Sequence, residues 1–229
     1  PAPANMYWKV NDGFSSSYSN TAELNLNSTQ QYYGVYVEGV YVGYRYFETR
    51  YEDSVMNREK VGNYTYSDVV AYPFGYGLSY SSFSYSDMTI VPNKQGDKVL
   101  SYEVSVKVTN TGSVSGKEAV QVYLQKPYND HDVILGIEKP SVELVGFEKT
   151  KLLNPNESET VHMSVDFESL RSYDSEYDKT YILDEGDYYL SVARDSHDAI
   201  NNILSKKGFN RSRGMDANGD PLLSEKILS

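Results

Sequence analysis

Apolar and polar residues alternate along much of the chain between residues 83 and 192. An alternation of period two places the apolar side chains on one face of an extended strand, which predicts half-buried β-strands. Turn-forming residues separate the runs, as at 110–112 (Asn-Thr-Gly) and 185–187 (Glu-Gly-Asp). Short strands separated in this way favour a mainly β fold, an antiparallel sandwich with Greek-key connections. The apolar runs begin at Phe83, Tyr102, Val120, Val142, Val161, Tyr181 and Tyr188.

The period becomes helical near the C-terminal end of the chain. A helix is predicted over residues 197–206, and either Asp195 or Ser196 is placed to cap its start. A second short helix is predicted near residues 221–228. Neither helix belongs to a plain sandwich, so we expect residues 196–229 to form a helical extension toward another domain. The apolar residues on one face of the first helix are Ala199, Ile200, Ile203 and Leu204.

The N-terminal part of the chain lacks this alternation. Aromatic residues and glycines dominate residues 32–51, whereas residues 52–71 are polar and are interpreted as a loop. At residues 73–80 (Pro-Phe-Gly-Tyr-Gly-Leu-Ser-Tyr) two glycines flank an aromatic residue, which predicts positive φ or close packing at these glycines. We therefore expect residues 1–82 to belong to a different domain and its linker, and residues 83–195 to form the sandwich.

Composition narrows the classes of function. The chain has 229 residues and a formal net charge of −11, which repels the phosphate groups of nucleic acids and of anionic membranes. We therefore expect neither as a partner. The chain has no cysteine, which excludes disulfides, thiolate metal sites and a cysteine nucleophile, and fits either a cytoplasmic or a secreted bacterial protein. The 23 tyrosines suit both strands and sugar-binding surfaces, since each has an apolar ring and a polar tip.

Five segments stand out along the chain: 37–48 (Val-Glu-Gly-Val-Tyr-Val-Gly-Tyr-Arg-Tyr-Phe-Glu), 72–80, 108–118, 142–149 and 185–188. They resemble, in the same order, segments of glycoside hydrolase family 3 enzymes of the β-glucosidase type. The first two resemble the end of the family's α/β sandwich domain, and the last three resemble its fibronectin-III-like domain. Any one of these segments is short, but five in order identify the chain as a member of that family over about residues 32–194.

The resemblance implies a specific form of the mainly β fold. It is a fibronectin-III-like, or immunoglobulin-like, β-sandwich, preceded by the end of an α/β sandwich domain and followed by a short helical extension. The sequence from Ser196 to Leu204 departs from the common arrangement. It resembles the permuted members of the family, in which the (β/α)8 barrel follows the other two domains.

The resemblance also implies which chemistry the chain lacks. Retaining glycosidases use two carboxylates, one as nucleophile and one as general acid/base. The family's nucleophile is an Asp on the barrel and its usual acid/base is a Glu earlier in the α/β domain, and neither surrounding segment occurs here. We therefore expect no catalytic residue, no metal and no cofactor in this chain.

The resemblance implies that the chain is a non-catalytic portion of a hydrolase that cleaves terminal β-D-glycosides with retention. Its partners would be the remaining polypeptide, which carries the barrel and the first part of the α/β domain, and a β-linked glucoside or related oligosaccharide.

Four residues are candidates for substrate binding: Glu38, Arg45 and Glu48 in the aromatic segment, and Tyr76 between the two glycines. They would belong to a loop that borders the sugar site. The alternative is a structural ion pair under a packed aromatic layer, with Tyr76 packing between domains.

Residues 216–220 resemble the start of a calcium loop but lack the required Glu at its twelfth position, and they are interpreted as a turn. The three histidines lack the spacing of metal ligands.

A free-standing carbohydrate-binding or adhesion module is the alternative function, and a structural spacer is a third. A binding module predicts an exposed, flat aromatic platform on the sandwich, yet the aromatic residues concentrate in residues 32–51, outside it. A portion of a hydrolase predicts instead that residues 1–82 cannot close a core alone, so that another polypeptide covers them.

Overall fold

The computed structural model of the protein describes residues 39–58, 62, 64–174 and 177–228. None of the helices in these residues is long and apolar enough to span a membrane. The helices are α1 Tyr44–Val55, α2 Tyr66–Val69, α3 Asp130–Leu135 and α4 Ser196–Lys206. The strands are β1 Phe83–Gln95, β2 Lys98–Asn110, β3 Ala119–Gln125, β4 Glu143–Lys149, β5 Ser158–Asp166, β6 Ser172–Asp174, β7 Thr180–Ile182, β8 Tyr188–Ala193 and β9 Ser224–Leu228.

The strands form two main sheets in which all neighbours are antiparallel. One sheet has the order β1-β2-β5 and the other has the order β4-β3-β8-β9. Strands β6 and β7 form a separate two-stranded ribbon. The chain crosses from the first sheet to the second between β2 and β3. The mainly β fold predicted from the alternating pattern is therefore confirmed.

Alternate residues of both sheets meet in a shared hydrophobic core. Each buried aliphatic side chain of this kind contributes about 1.5–3 kcal/mol relative to its exposure to water. Five of the seven predicted apolar runs supply this core, because successive side chains of a strand point to opposite faces of its sheet. The other two begin at Val142, which lies outside this core, and at Tyr181, which is exposed. Core residues that are no more than 4% exposed include Val104, Val106, Val108, Val120, Val122, Leu124, Val161, Val165, Leu190 and Val192.

A second hydrophobic core lies on the outer face of the four-stranded sheet, where α1 and α4 pack. Tyr123 of β3 and Tyr189 of β8 point outward into it, so all six residues of β8 are buried. Helix α4 begins one residue before its predicted start, and its four predicted apolar residues are fully buried here. The helix is amphipathic because it covers a sheet, and its prediction is confirmed.

The short helix predicted near residues 221–228 is wrong. Pro221–Leu223 forms a single 3-10 turn, and the following residues form β9, which pairs with the edge of β8. The unpaired edge of β8 offers hydrogen-bonding groups that a segment this short satisfies better as a strand. In the sequence, helix α4 therefore connects β8 and β9, which are neighbours in one sheet. The division of the chain at residues 82 and 195 stays a prediction, and β9 lies beyond the second of these boundaries.

The end of α1 and all of α2 lie in residues 52–71, for which the sequence predicts a loop. Residues 52–55 complete α1 and residues 66–69 form α2, so the interpretation of residues 52–71 as a loop is wrong in part. The buried face of α1 has the spacing of a helix, but two of its positions, Glu48 and Glu52, are acidic. An apolar pattern interrupted by buried charges does not indicate a helix.

A buried tyrosine fixes the turn that precedes β8. Tyr188 is fully buried, and its hydroxyl accepts a hydrogen bond from Asp184 N (3.0 Å) and donates one to Asp184 O (3.1 Å). This is the tyrosine corner found in immunoglobulin-like sandwiches, in which a tyrosine near the start of a strand holds the backbone a few residues upstream.

Replacing Tyr188 by Phe tests this corner. We expect Tyr188→Phe to lower the free energy of unfolding by about 1–3 kcal/mol, because two backbone groups of Asp184 lose their buried partner. Urea denaturation followed by fluorescence measures the change. Tyr189→Phe is the matched control, since its hydroxyl makes only a 3.5 Å contact with Asp187. Equal losses in the two variants would contradict the structural role of the corner.

Candidate functional site

Glu48 lies at the centre of a buried hydrogen-bond network between α1 and α4. Its side chain is fully buried, and its carboxylate accepts hydrogen bonds from Tyr66 Oη (2.6 Å) and Ser196 Oγ (2.7 Å). His197 Nδ1 lies 2.8 Å from Glu48 Oε2. Three side chains thus provide hydrogen-bond partners for this buried carboxylate. The structure shows Glu48 holding the two helices together, whereas its contact with a substrate stays a prediction.

His197 connects Glu48 to a second carboxylate. Its Nε2 lies 2.9 Å from Asp216 Oδ2, and its ring stacks on Tyr66 with centroids 3.7 Å apart. Burial lowers the pKa of His197, but hydrogen bonds and charge from Asp216 and Glu48 outweigh burial and raise the pKa to about 9. Burial likewise raises the pKa of Asp216, but His197 and its other hydrogen-bond partners lower it to about 2. At neutral pH an imidazolium therefore bridges two carboxylates.

Tyr51 of α1 extends this network to the loop after α4. Its hydroxyl lies 2.8 Å from both Asn201 Oδ1 and Asp216 Oδ1 and accepts a hydrogen bond from Asp216 N (3.0 Å). The residues interpreted as a turn at 216–220 thus supply one partner of His197. In the described part of the chain, no group of three His, Cys, Asp or Glu residues is arranged to hold a metal ion.

Arg45 lies on α1 but does not pair with Glu48. Its guanidinium is 3.2 Å from Glu143 of β4, and Lys126 lies 3.1 Å from the other oxygen of the same carboxylate. The arginine side chain is about one third exposed. The structure therefore brings Arg45 to the edge of the sandwich rather than into the Glu48 network. Glu38, the third candidate of this segment, lies outside the described residues.

Tyr76 belongs to an exposed segment whose backbone is held in place. Ser196 N donates to Phe74 O (2.9 Å), and Gln121 Nε2 donates to Gly75 O (3.2 Å). Gly75 has φ +90°, and a Cβ atom there would lie 2.2 Å from Gln121 Oε1. The predicted need for glycine is confirmed at Gly75 and is wrong at Gly77, where φ is not positive and a Cβ atom would meet nothing within 4 Å.

The side chain of Tyr76 is about half exposed, and its ring stacks on that of Tyr72 with centroids 5.3 Å apart. Phe74 instead stacks on Tyr44 of α1, with centroids 4.4 Å apart. The described candidates Arg45, Glu48 and Tyr76 thus occupy three different environments.

The residues that complete the Glu48 network were not identified from the sequence. His197 and Ser196 lie almost 150 positions from Glu48, and the contact depends on α4 folding back across the sheet. The nearest signal in the sequence is the predicted helix start at Asp195 or Ser196. It indicates a cap but no partner for the imidazole of His197.

Stability measured against pH tests the bridge made by His197. The pKa of about 9 in the folded chain lies above the ordinary value of 6.5, so the bridge contributes fully below pH 6.5 and is lost as the pH rises through 9. We expect the free energy of unfolding to fall by at most about 3 kcal/mol between pH 6 and pH 9.5 through this group. In His197→Gln this fall should disappear.

His162→Gln is the matched control for this measurement, because His162 is exposed on β5. Urea denaturation at both pH values gives the free energies. A His197→Gln variant that keeps the full pH dependence of the wild type and of His162→Gln would rule out the charged bridge.

Comparison with known proteins agrees with this fold. A family model described as a fibronectin type III-like domain matches residues 118–196. The thermostable beta-glucosidase B of Acetivibrio thermocellus is 34% identical over 165 residues, which is 72% of this chain and 18% of that protein. A beta-glucosidase of Ruminococcus albus is 40% identical over 140 residues, which is 61% of this chain and 12% of that protein.

Solved structures that are similar to this chain are also β-glucosidases. Beta-glucosidase 3B from Thermotoga neapolitana, in complex with α-D-glucose, has a TM-score of 0.54 at 36% identity over 71% of this chain and 19% of its own. A beta-glucosidase from Paenibacillus barengoltzii has a TM-score of 0.57 at 36% identity over 71% of this chain and 16% of its own. The chain thus spans less than a fifth of the length of these proteins. It belongs to glycoside hydrolase family 3, of which it is a segment that includes the fibronectin type III-like domain.

Proposed function

We propose that the chain is the non-catalytic portion of a β-glucosidase-like hydrolase and braces the catalytic domains of that enzyme. The whole enzyme would hydrolyse terminal β-D-glycosides with retention, and the remaining polypeptide, with the barrel and the first part of the α/β domain, would supply both catalytic carboxylates. This assignment rests on the similarity to β-glucosidases and on the small share of their length that the chain spans. Residues 1–82, 83–195 and 196–229 keep their predicted domain roles in this proposal.

The observation that carries the proposal is a run of exposed apolar side chains at residues 72–80. Leu78 is 92% exposed and Tyr80 is fully exposed, and Tyr72 is 71% exposed. Burying large apolar side chains is favourable by about 25 cal/mol per Å². Exposed apolar surface of this kind is typical of an interface with other polypeptide. We call these residues the 72–80 surface.

The backbone beneath the 72–80 surface supports a docking role. Hydrogen bonds from Ser196 and Gln121 hold residues 74 and 75 against the sandwich, and Ser81 Oγ donates to Asn110 Oδ1 (2.6 Å). The side chains are thus presented on a fixed backbone, so covering them costs little additional conformational entropy. A brace between domains needs such a preformed contact.

The alternative, a free-standing carbohydrate-binding module, has less support. The exposed aromatic pair on the β6–β7 ribbon is Tyr173 and Tyr181, with ring centroids 5.3 Å apart. Their rings are inclined at 68°, so the two rings do not share one plane. The pair therefore does not form the flat platform that this alternative predicts.

Native mass spectrometry of the chain mixed with the remaining hydrolase polypeptide tests the proposal. We expect a stable complex for the wild-type chain. Leu78→Asp combined with Tyr80→Asp should weaken association at least about 100-fold, because a carboxylate would be buried in an apolar interface. Tyr181→Asp is the matched control, since Tyr181 is exposed but lies on the ribbon. A wild-type chain that remains free at 25.9 kDa in this mixture contradicts the proposal.

A further inference from the structure

Helix α3 presents a short apolar face to solvent. Val133 is 60% exposed and Ile134 is 78% exposed, whereas Asp132, which precedes them, is fully buried. Neighbouring residues of a helix differ in direction by about 100°, so one can face the core while the next two face solvent. Adjacent large apolar side chains that are exposed on a helix are typical of an interface with other polypeptide. We call Val133 and Ile134 the α3 surface.

Buried contacts fix α3 in place. Lys139 Nζ lies 2.6 Å from Asp132 Oδ1 and 2.7 Å from Asp184 Oδ2, and these three side chains are no more than 5% exposed. Asn129 caps the start of the helix, because its side chain accepts from Asp132 N (3.1 Å) and its own N–H donates to Asp132 Oδ2 (2.9 Å). Gly136, with φ +69°, ends the helix. The α3 surface is therefore held in one position, which reduces the entropy cost of docking on it.

The α3 surface and the 72–80 surface lie at opposite ends of the four-stranded sheet. Gln121, which holds Gly75, is near the start of β3, whereas β3 ends at Gln125 and the chain then leads to α3. Strand β8 runs antiparallel to β3, so the start of β8 lies at the α3 end. Asp184, which contacts Lys139 there, precedes β8. One rigid sheet thus connects the two surfaces.

The last strand of the chain also ends at the α3 end of the sheet. Leu228 of β9 pairs with Tyr188 at the start of β8, and the hydroxyl of Tyr188 bonds to the backbone of Asp184. Lys139 connects Asp184 to α3. In the enzyme proposed above, with the barrel after this chain as its sequence predicts, the polypeptide that follows residue 229 would leave the sandwich at this end. That polypeptide is therefore placed to cover the α3 surface.

Acidic side chains surround the α3 surface. Asp130 is exposed on α3, and Asp178 and Glu185 are exposed in a groove of about 550 Å³ beside the helix. None of these three carboxylates forms an ion pair within the described part of the chain, whereas Leu135 and Leu183 give the groove apolar walls. A lysine or arginine fits such a groove, because its aliphatic stem packs on apolar atoms while its charge meets the carboxylates. Charge complementarity therefore indicates a partner with basic side chains beside apolar ones.

We propose that α3 carries a second docking surface, on which a segment of the remaining hydrolase polypeptide packs an apolar side chain against Ile134 and places a lysine or arginine in the acidic groove. The inference rests on the proposed function, which supplies the partner, but it uses none of the residues of the 72–80 surface. The partner would then hold the chain at both ends of one sheet. Two contacts on one rigid body reinforce each other, because the first raises the effective concentration for the second.

Alkylation of introduced thiols in the whole hydrolase tests the inference. The chain has no cysteine, so Ile134→Cys, Leu78→Cys and Tyr181→Cys each place one thiol in it at an exposed position. Mass spectrometry of the peptide that contains the thiol measures its reaction with iodoacetamide in native and in urea-unfolded enzyme. We expect the thiol of Ile134→Cys to react at least about tenfold more slowly in the native enzyme, because its reaction then requires local opening of the interface.

Tyr181→Cys is the matched control, because this position is exposed on the β6–β7 ribbon and belongs to neither surface. Its thiol should react equally fast in both states. Protection of Leu78→Cys without protection of Ile134→Cys would overturn this inference and leave the docking of the 72–80 surface intact. The reverse result would overturn the docking of the 72–80 surface alone. Protection of Ile134→Cys that is lost on dilution would show that a second copy covers α3, which also overturns the inference.

A charge reversal tests the acidic groove. In the mixture of the chain with the remaining polypeptide, Asp178→Lys should weaken association about tenfold, because two like charges would then face each other. Asp97→Lys is its matched control, since Asp97 is exposed in the turn between β1 and β2, away from both surfaces. Native mass spectrometry over a range of concentrations gives the affinities. Equal affinities of the two variants would contradict the predicted contact with a lysine or arginine.

Discussion

The carboxylate of Glu48 sets a condition that the rest of the structure has to meet. A charged group removed from water is strongly destabilising unless hydrogen bonds and opposite charge compensate it, and losing a partner of a buried charge pair costs about 3–5 kcal/mol. Tyr66, Ser196 and His197 supply that compensation. Because Ser196 and His197 belong to α4, the carboxylate on α1 keeps these two partners only when α4 lies against it. The packing of α1 and the packing of α4 are therefore coupled.

This coupling explains why the sandwich has a second hydrophobic core. Strands β3 and β8 are covered on both faces, by the opposite sheet on one side and by α1 and α4 on the other. Two polar residues of β3 on the outer face are buried and form hydrogen bonds within the chain. Gln121 holds the backbone of Gly75, and Gln125 bonds to Glu52. The four-stranded sheet thus carries polar groups that contact both the 72–80 surface and Glu52 of α1.

The 72–80 surface differs from the Glu48 network in its contact with water. Leu78 and Tyr80 expose apolar atoms, and their contact with water raises the free energy of the uncovered chain. Glu48 is fully buried, and its hydrogen-bond partners lie within the chain. The docking proposed for the 72–80 surface would therefore cover exposed apolar atoms and leave the Glu48 network unchanged.

The sequence by itself determined the sandwich and helix α4, because apolar alternation and helical amphipathicity depend only on which face of each element is buried. Five ordered segments likewise identified the family. What the sequence left open depends on contacts between residues that are far apart. The pattern missed α1, since Glu48 and Glu52 interrupt its apolar face, and it misassigned β9, whose five residues become a strand only beside the edge of β8. The network of Glu48 exists only once the tertiary structure brings α1 and α4 onto one sheet.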